Sequence, residues 1–376
     1  MAPGQALLVE WCTGPDRVPD RQDVGRWGAG WWCTGPDRVP DRRGVSPVSV
    51  TAARFGSMHR ALPSRAVRGL ADRLCGAKPA TRATTGRRTV LVTGAASGLG
   101  LALVRRFAAR GDEVLATDRA ATLEEGILPD GVAYRRLDVT CDGDWAATRA
   151  WVLERFGHLD LLVNNAGVAV GGRIDVSTPA DWERVVAVNL LGVARGCHAF
   201  ASVFTAQRAG HVVMTASLAG LVHGPQMAAY SATKAGVVAI GEALRYELAP
   251  WDVRVSVICP SFFRTGLAAS LDGADVEAER TAARLIAEAP RSADEVAERA
   301  LAGIDAGRPL ILTDRDGHLL FWTKRLLRPA YDAALLAAGR RAAREPAPTE
   351  TVPTAAAREP SPTAAGPRPG LTEASR

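Results

Sequence analysis

The sequence predicts an α/β protein of three layers, in which helices cover both faces of a doubly wound parallel sheet. Apolar runs rich in β-branched residues alternate with helical patterns from Thr89 to Pro260. Such unbroken apolar runs are typical of strands that are buried on both faces. Segments rich in Pro, Gly, Arg and Thr flank this region, so we expect disordered N- and C-terminal extensions around the folded part.

The expected elements follow one another along the chain. The strands are TVLVTG, EVLATD, VAYRRLDV, LDLLVNNAG, GHVVMTAS, VRVSVICP and the short PLILT. The helical patterns between them are LGLALVRRFAARG, DWAATRAWVLERFG, DWERVVAVNLLGVARGCHAFASVF and YSATKAGVVAIGEALRYELA, and an Ala/Glu/Arg-rich stretch precedes the last strand. Strands that alternate with helices in this way form a parallel sheet covered on both faces.

Composition divides the chain into five segments. They are a disordered extension (1–57), a basic leader and linker with a short amphipathic helix (58–88), the α/β domain (89–315), basic amphipathic C-terminal helices (316–344) and a disordered tail (345–376). The first 88 residues hold 15 Lys/Arg and 7 Asp/Glu, a charge of +8, and the other 31 and 33 give −2. Because the domain itself is nearly neutral, we expect no nucleic-acid partner.

The 11-residue phrase WCTGPDRVPDR occurs twice, at Trp11–Arg21 and at Trp32–Arg42. Two copies are too few for a repeat architecture. The identity of the copies suggests recent duplication or translated upstream sequence, with Met58 as an alternative start of a simple basic leader or, less favoured, of a transit peptide. We expect activity to survive removal of the phrase.

The six cysteines stand singly and form no metal-ligand spacing. We therefore expect reduced thiols in a cytoplasmic protein that binds no metal. No uncharged apolar stretch reaches the roughly 18 residues of a membrane span.

The stretch TGAASGLG, Thr93 to Gly100, lies between the first strand and its helix. Glycines there let the backbone approach a pyrophosphate, and a helix N-terminus offers N–H groups to it. Asp118 ends the second strand, where a carboxylate can accept hydrogen bonds from a ribose. A second motif, YSATK, places Tyr230 and Lys234 on one helix face.

With these motifs, and with Asn189 and Ser217 at matching positions, the sequence resembles the classical short-chain dehydrogenase/reductase family. The resemblance runs from about Thr89 to Thr265 and, more weakly, to about Thr313. It implies a Rossmann-type fold and an NAD(P)-dependent oxidoreductase that acts on CH–OH groups, with the expected NAD(P)-binding domain at 89–315. It also implies a homodimer or homotetramer.

The resemblance assigns a catalytic tetrad of Asn189, Ser217, Tyr230 and Lys234. Tyr230 exchanges a proton with the substrate oxygen, which Ser217 also contacts, and Asn189 positions a water next to Lys234. Lys234 is expected to lower the pKa of Tyr230 by roughly 3 units, about 4 kcal/mol, an amount that one cation about 4 Å away supplies.

The implied cofactor-binding residues are Thr93, Gly94, Ser97, Gly98, Leu99, Gly100, Asp118, Arg119, Asp138, Val139, Asn165, Ala166, Gly167, Tyr230, Lys234, Pro260 and Thr265. Ser261 stands where the family usually has glycine, and we expect it to tighten the turn before Thr265. NAD is favoured over NADP, although NADP stays possible. The Asp118 carboxylate would repel a 2′-phosphate, and Arg119 would offset part of this repulsion.

The implied substrate pocket consists of Leu218, His223, Pro225, Met227, Phe262 and Phe263. These mainly apolar residues indicate a hydrophobic secondary alcohol or its ketone, with His223 on the pocket rim. The alternative is a catalytically silent redox sensor of the same fold. NADH formation with lipophilic alcohols, compared with Tyr230→Phe, separates the two.

The stretch from His318 to Arg344 is basic and amphipathic. It could make a weak contact with an anionic membrane surface. The favoured interpretation is a helix that packs on the domain or on a partner subunit, because Pro329 interrupts the pattern.

Overall fold

The structure, a computed structural model, describes residues 87–342. The expectations for residues 1–57 and 345–376, and for the amphipathic helix before residue 87, lie outside the described residues, as does the duplicated phrase. The described part contains the whole strand-and-helix pattern.

Seven parallel strands form one sheet in the order β3-β2-β1-β4-β5-β6-β7. Their bounds are β1 (Thr89–Thr93), β2 (Glu113–Asp118), β3 (Ala133–Arg136), β4 (Leu161–Asn164), β5 (Gly210–Thr215), β6 (Val253–Cys259) and β7 (Leu310–Leu312). The chain builds outward from β1 to β3 and then returns to place β4 on the other side of β1. This reversal opens a crevice at the carboxyl ends of β1 and β4, the usual ligand site of a doubly wound sheet.

Helices cover both faces of the sheet. Their bounds are α1 (Gly98–Ala109), α2 (Asp142–Phe156), α3 (Pro179–Val186), α4 (Gly192–Gln207), α5 (Ala228–Leu248), α6 (Val276–Ala287), α7 (Ala293–Asp305), α8 (Arg315–Leu326) and α9 (Arg328–Ala342). Val90 and Val92 of β1 pack with α1 and α7, whereas Leu91 packs with α2, α4 and α5. The predicted three-layer, doubly wound fold is therefore confirmed.

The segment predicted as one helix before β5 is divided in the structure. A π-helical turn, Ala187–Leu191, separates α3 from α4, and it carries the fully buried Asn189. Such insertions often occur at functional sites because they redirect a side chain. By length and composition alone, Pro179–Gln207 could cross a membrane. Phe200 and Phe204 of this segment are fully buried in the core beside the sheet, as expected for a core helix.

The two C-terminal helices pack on the α/β domain. Leu327 separates them, and Pro329 is the second residue of α9, where its missing N–H costs no helical hydrogen bond. Lys324 Nζ donates a hydrogen bond to the Leu221 carbonyl at 2.6 Å. Phe321 and Tyr331 are buried. This packing agrees with the favoured interpretation of the segment.

His211, at the start of β5, is a buried histidine whose titration affects stability. Its Nε2 lies 2.8 Å from Ser256 Oγ, which in turn donates to the Arg308 carbonyl, so Nε2 carries the proton. Burial lowers the pKa of His211 to about 3, and the charge of Arg254 acts in the same direction. Unfolded histidine has a pKa of about 6.5. As the pH falls below that value, His211 therefore binds a proton in the unfolded chain but stays unprotonated in the folded protein.

We expect this residue to lower the free energy of unfolding by about 1.4 kcal/mol per pH unit as the pH falls from about 6.5. Urea denaturation at a series of pH values measures the slope. Glutamine cannot be protonated in this range, so in His211→Gln this contribution to the slope of unfolding free energy against pH should be missing. Equal slopes in both proteins would contradict the assignment.

Candidate active site

The glycine-rich turn brings the backbone of β1 close to the end of β4. Gly94 has φ +64°, and a Cβ on it would lie 2.7 Å from Ala166 Cα. Gly98 also has a positive φ, +54°, and a Cβ on it would collide with Thr265 Oγ1. Only glycine combines such backbone conformations with so close an approach. The turn thus forms a cradle that leaves no room for a side chain at Gly94 or Gly98.

The N-terminus of α1 faces the same crevice. Its N-cap residue, Ser97, makes no side-chain capping hydrogen bond to the first amide groups of the helix. Asp118 supports the turn, because its Oδ2 accepts from the Ala96 N–H at 3.1 Å and its Oδ1 from the Arg119 N–H at 2.8 Å. Amide groups at the positive end of a helix dipole suit the pyrophosphate of a dinucleotide.

A cavity of about 810 Å³ begins at this cradle and runs along the carboxyl edge of the sheet. Most of the predicted site residues line it: Gly94, Ser97, Gly98, Leu99, Asp118, Arg119, Asp138, Val139, Asn165, Ala166, Gly167, Ser217, Leu218, Met227, Tyr230, Lys234, Pro260, Phe262, Phe263 and Thr265. Residues from six strand ends and loops therefore meet in one place.

Three predicted site residues lie behind the cavity wall. Thr93 Oγ1 accepts hydrogen bonds from the N–H groups of Asn165 and Ala166, each at 3.0 Å. Asn189 Oδ1 accepts from the Val168 N–H at 2.8 Å, and its Nδ2 donates to the Val168 carbonyl at 2.9 Å. A Cβ on the third, Gly100, would collide with the Gly94 carbonyl. These residues fix the shape of the wall.

Tyr230, Ser217 and Lys234 meet at the middle of the cavity. The Ser217 and Tyr230 side chains share a hydrogen bond, and the Ser217 hydroxyl also lies 3.5 Å from the Pro260 carbonyl. Lys234 Nζ lies 5.8 Å from the centre of the Tyr230 ring and donates to the Thr215 carbonyl at 2.9 Å. Gly167 leaves space beside Asn189 and Lys234, since a Cβ there would lie 3.2 Å from Asn189 Oδ1. The four predicted tetrad residues are thus neighbours.

The pKa of Tyr230 differs from the expectation. Burial raises it to about 12, although the Ser217 hydrogen bond lowers it. Burial also lowers the pKa of Lys234 to about 8. Desolvation is the largest cause of both shifts, and Cys259 also raises the pKa of Tyr230, so the lowering expected from Lys234 does not set this pKa. The phenol is therefore protonated at neutral pH.

The structure does not place His223 and Pro225 in this cavity, contrary to the prediction. They line a separate groove against α9, together with Leu336 and Arg340. His223 Nδ1 lies 3.0 Å from the Ala219 carbonyl. Gln226 in this loop has φ +59°, and Gly224 lines both the cavity and the groove.

Ser261, the departure from the usual glycine, has a specific partner. Its hydroxyl donates to Asp314 Oδ2 at 2.6 Å. Asp314 is buried and caps α8 by accepting the Gly317 N–H at 2.7 Å. These hydrogen bonds hold the pKa of Asp314 below its ordinary value despite its burial. Ser261 therefore connects the loop before Thr265 to the start of α8.

Part of the cavity wall was not predicted from the sequence. Leu267, Leu271 and Ile286 come from the segment after β6, and Leu320, Tyr331 and Leu335 come from α8 and α9. The amphipathic pattern after His318 identified helices but not the surface on which they pack. Nothing local in the sequence indicates that these helices reach the active site.

A family model described as short chain dehydrogenase matches residues 88–275, which contain the glycine turn and the Tyr230–Lys234 pair. The chain belongs to the short-chain dehydrogenase family. The expectation of an oxidoreductase acting on CH–OH donors with a nicotinamide cofactor is thereby confirmed. Such a cofactor, when bound, accepts or donates the hydride, and the cradle at Gly94, Gly98 and the uncapped α1 fits its pyrophosphate.

Two short-chain dehydrogenase relatives and one solved structure show the extent of the similarity. The 2-(R)-hydroxypropyl-CoM dehydrogenase of Xanthobacter autotrophicus is 39% identical over 188 residues, 47% of this chain and 75% of that protein. Momilactone A synthase of Oryza sativa subsp. japonica is 35% identical over 224 residues, 57% of this chain and 82% of that protein. A short-chain dehydrogenase/reductase from Burkholderia phymatum, in complex with NAD, aligns with a TM-score of 0.57 at 30% identity, over 71% of this chain and 98% of that one.

Proposed function

We propose that the protein interconverts an uncharged, hydrophobic secondary alcohol and its ketone with NAD. One observation carries the proposal: the Tyr230 phenol, hydrogen-bonded to Ser217, lies between the glycine cradle and an apolar end of the cavity. Among the described residues, that end is lined by Phe262, Leu267, Leu320 and other apolar side chains. Its charged groups are the Asp316 carboxylate and, next to Tyr230, the Lys234 ammonium. A substrate with an anionic group would find no partner there.

The protonated phenol of Tyr230 can donate its proton to a ketone oxygen, and Ser217 can stabilise the charge that develops on that oxygen. Alcohol oxidation uses the same path in reverse and requires the phenol to lose its proton. Lys234, with a pKa of about 8, is largely an ammonium at neutral pH and favours the phenolate. Asn189 supports Tyr230 and Lys234 by fixing the neighbouring Val168 backbone with two hydrogen bonds.

A screen of uncharged secondary alcohols, followed by NADH formation, tests the proposal. Turnover of lipophilic members and none of anionic ones is the expected result. The alternative, a catalytically silent redox sensor, predicts NADH binding without turnover across the whole panel. The neighbouring positions of Ser217, Tyr230 and Lys234 favour the enzyme.

We expect kcat/KM to be at least about tenfold higher with NAD than with NADP. The Asp118 carboxylate lines the cofactor end of the cavity and would repel a 2′-phosphate about 4 Å away by roughly 4 kcal/mol, part of which Arg119 offsets. Asp118→Asn keeps an acceptor for the Ala96 N–H but removes the charge, so it should narrow the preference. A tenfold preference for NADP, or an unchanged ratio in the variant, would refute this assignment.

The remaining proposals concern location and partners. We propose a cytoplasmic homodimer or homotetramer, built from the helices that carry Asn189 and Tyr230, with no nucleic-acid partner. The exposed side chains of Leu326, Leu327 and Arg325 leave a weak contact with an anionic membrane as an alternative role for α8. Liposome flotation with and without residues 318–376 distinguishes it from simple packing on the domain.

A further inference from the structure

Among the described residues that line the cavity, one phenol is present besides that of Tyr230. Tyr331, on α9, lines the cavity and is only 7% exposed. Its neighbours on the wall from the same two helices are Leu320 and Leu335. A hydroxyl in such an apolar wall is costly unless its hydrogen-bonding capacity is used.

Within the protein, the Tyr331 hydroxyl accepts a hydrogen bond. Burial raises the pKa of Tyr331, and the backbone N–H of His223, which donates to its oxygen, lowers it. A phenol has a proton to donate as well as lone pairs to accept with. Among the hydrogen bonds described for residues 87–342, none has Tyr331 as its donor. Tyr331 lines the cavity, and so do Val222 and Gly224, the residues on either side of His223.

Two anchors hold Tyr331 in place. Lys324 ties α8 to the Leu221 carbonyl. Asp314, the N-cap of α8, is bound by Ser261 from the loop that follows β6. Because α9 follows α8 directly, these anchors fix the phenol relative to the Tyr230 end of the cavity.

We propose that Tyr331 is a specificity-determining residue whose hydroxyl donates a hydrogen bond to a second oxygen of the substrate, remote from the reacting carbinol carbon. The inference rests on the proposed function and narrows its substrate class. The substrate is an uncharged, hydrophobic alcohol or ketone that carries a further hydroxyl, ketone or ester oxygen. His223 acts only through its backbone, by orienting the phenol.

Matched substrate pairs test the inference. Suitable probes are cyclohexanol against a cyclohexanediol, and a saturated steroid alcohol with and without a ketone on its far ring. We expect the wild-type protein to prefer the doubly oxygenated member of at least one pair by about tenfold in kcat/KM, mainly through KM. Tyr331→Phe keeps the ring and removes the hydroxyl, so the two members should become equal.

Tyr246→Phe is the matched control, because Tyr246 lies on the surface of α5 and is 69% exposed. It should keep the wild-type preference. A preference that persists in Tyr331→Phe, or that is missing from the wild type in every pair, overturns the inference. Absence of turnover with all pairs overturns the proposed function instead. Isothermal titration of the corresponding ketone pairs, with NADH present, then decides the role of Tyr331 by itself.

Discussion

Tyr230→Phe should lower kcat by about a thousandfold, within the range that a general acid–base group contributes. The phenol is the cavity group that shares a hydrogen bond with Ser217 and lies beside Lys234. Its removal leaves the reacting oxygen without a proton donor. The glycine cradle is untouched, so NADH affinity, measured by fluorescence titration, should stay within about twofold of the wild type.

The surface variant Tyr246→Phe serves again as the control and should keep full activity. If Tyr230→Phe retained more than about a tenth of the wild-type kcat, Tyr230 would not be the acid–base group. If it lost NADH binding as well, the variant would have disturbed the cavity, and Ser217→Ala would then provide the test. We expect Ser217→Ala to lose about a hundredfold in kcat for want of a donor to the same oxygen.

Gly94→Ala should weaken NADH binding by at least about tenfold and lower the melting temperature. Gly94 has φ +64°, and the added Cβ would lie 2.7 Å from Ala166 Cα, a backbone atom that cannot rotate away. The left-handed backbone adds strain of about 1 kcal/mol. Relief of the collision requires the β1 turn to move away from the end of β4, which widens the cradle that we assign to the pyrophosphate.

Gly157→Ala is the control that separates the effect of backbone strain from the effect of the Cβ collision at Gly94. Gly157 has φ +72°, but a Cβ there meets no described atom within 4 Å. It ends α2, at the other edge of the sheet. This variant should lose stability by a similar strain and bind NADH normally. Wild-type NADH affinity in Gly94→Ala would show that the turn does not form the cofactor cradle.

The local patterns of the sequence were sufficient for the architecture. Unbroken apolar runs such as TVLVT require burial on both faces, and the alternation with helices requires a parallel sheet. The glycine turn between β1 and α1 and the four-residue spacing of Tyr230 and Lys234 are equally local. Their physical consequences, a close backbone approach and a shared helix face, do not depend on the rest of the fold.

The tertiary structure decided what distant segments do to each other. The π-helical turn directs Asn189 to the Val168 backbone, and burial reverses the expected shift in the pKa of Tyr230. Ser261 pairs with Asp314, 53 residues later. Contacts of this kind depend on desolvation and on which surfaces meet, and neither leaves a period or a spacing in the sequence.

The wall of the predicted substrate pocket shows most clearly which features follow from the sequence and which follow from tertiary packing. The sequence predicts the His223 loop at the substrate pocket because this loop follows the Ser217 strand. It also predicts the helix that became α9, but it does not identify the surface that this helix contacts. In the structure α9 occupies that position, with Tyr331 on the cavity wall and His223 behind it. The sequence by itself determined the fold, and it located the glycine turn and the Tyr230–Lys234 pair to which we assign the cofactor and the proton transfer. Only the packing of α8 and α9 against a loop about a hundred residues earlier, where Lys324 bonds to the Leu221 carbonyl, decided which side chains complete the cavity wall.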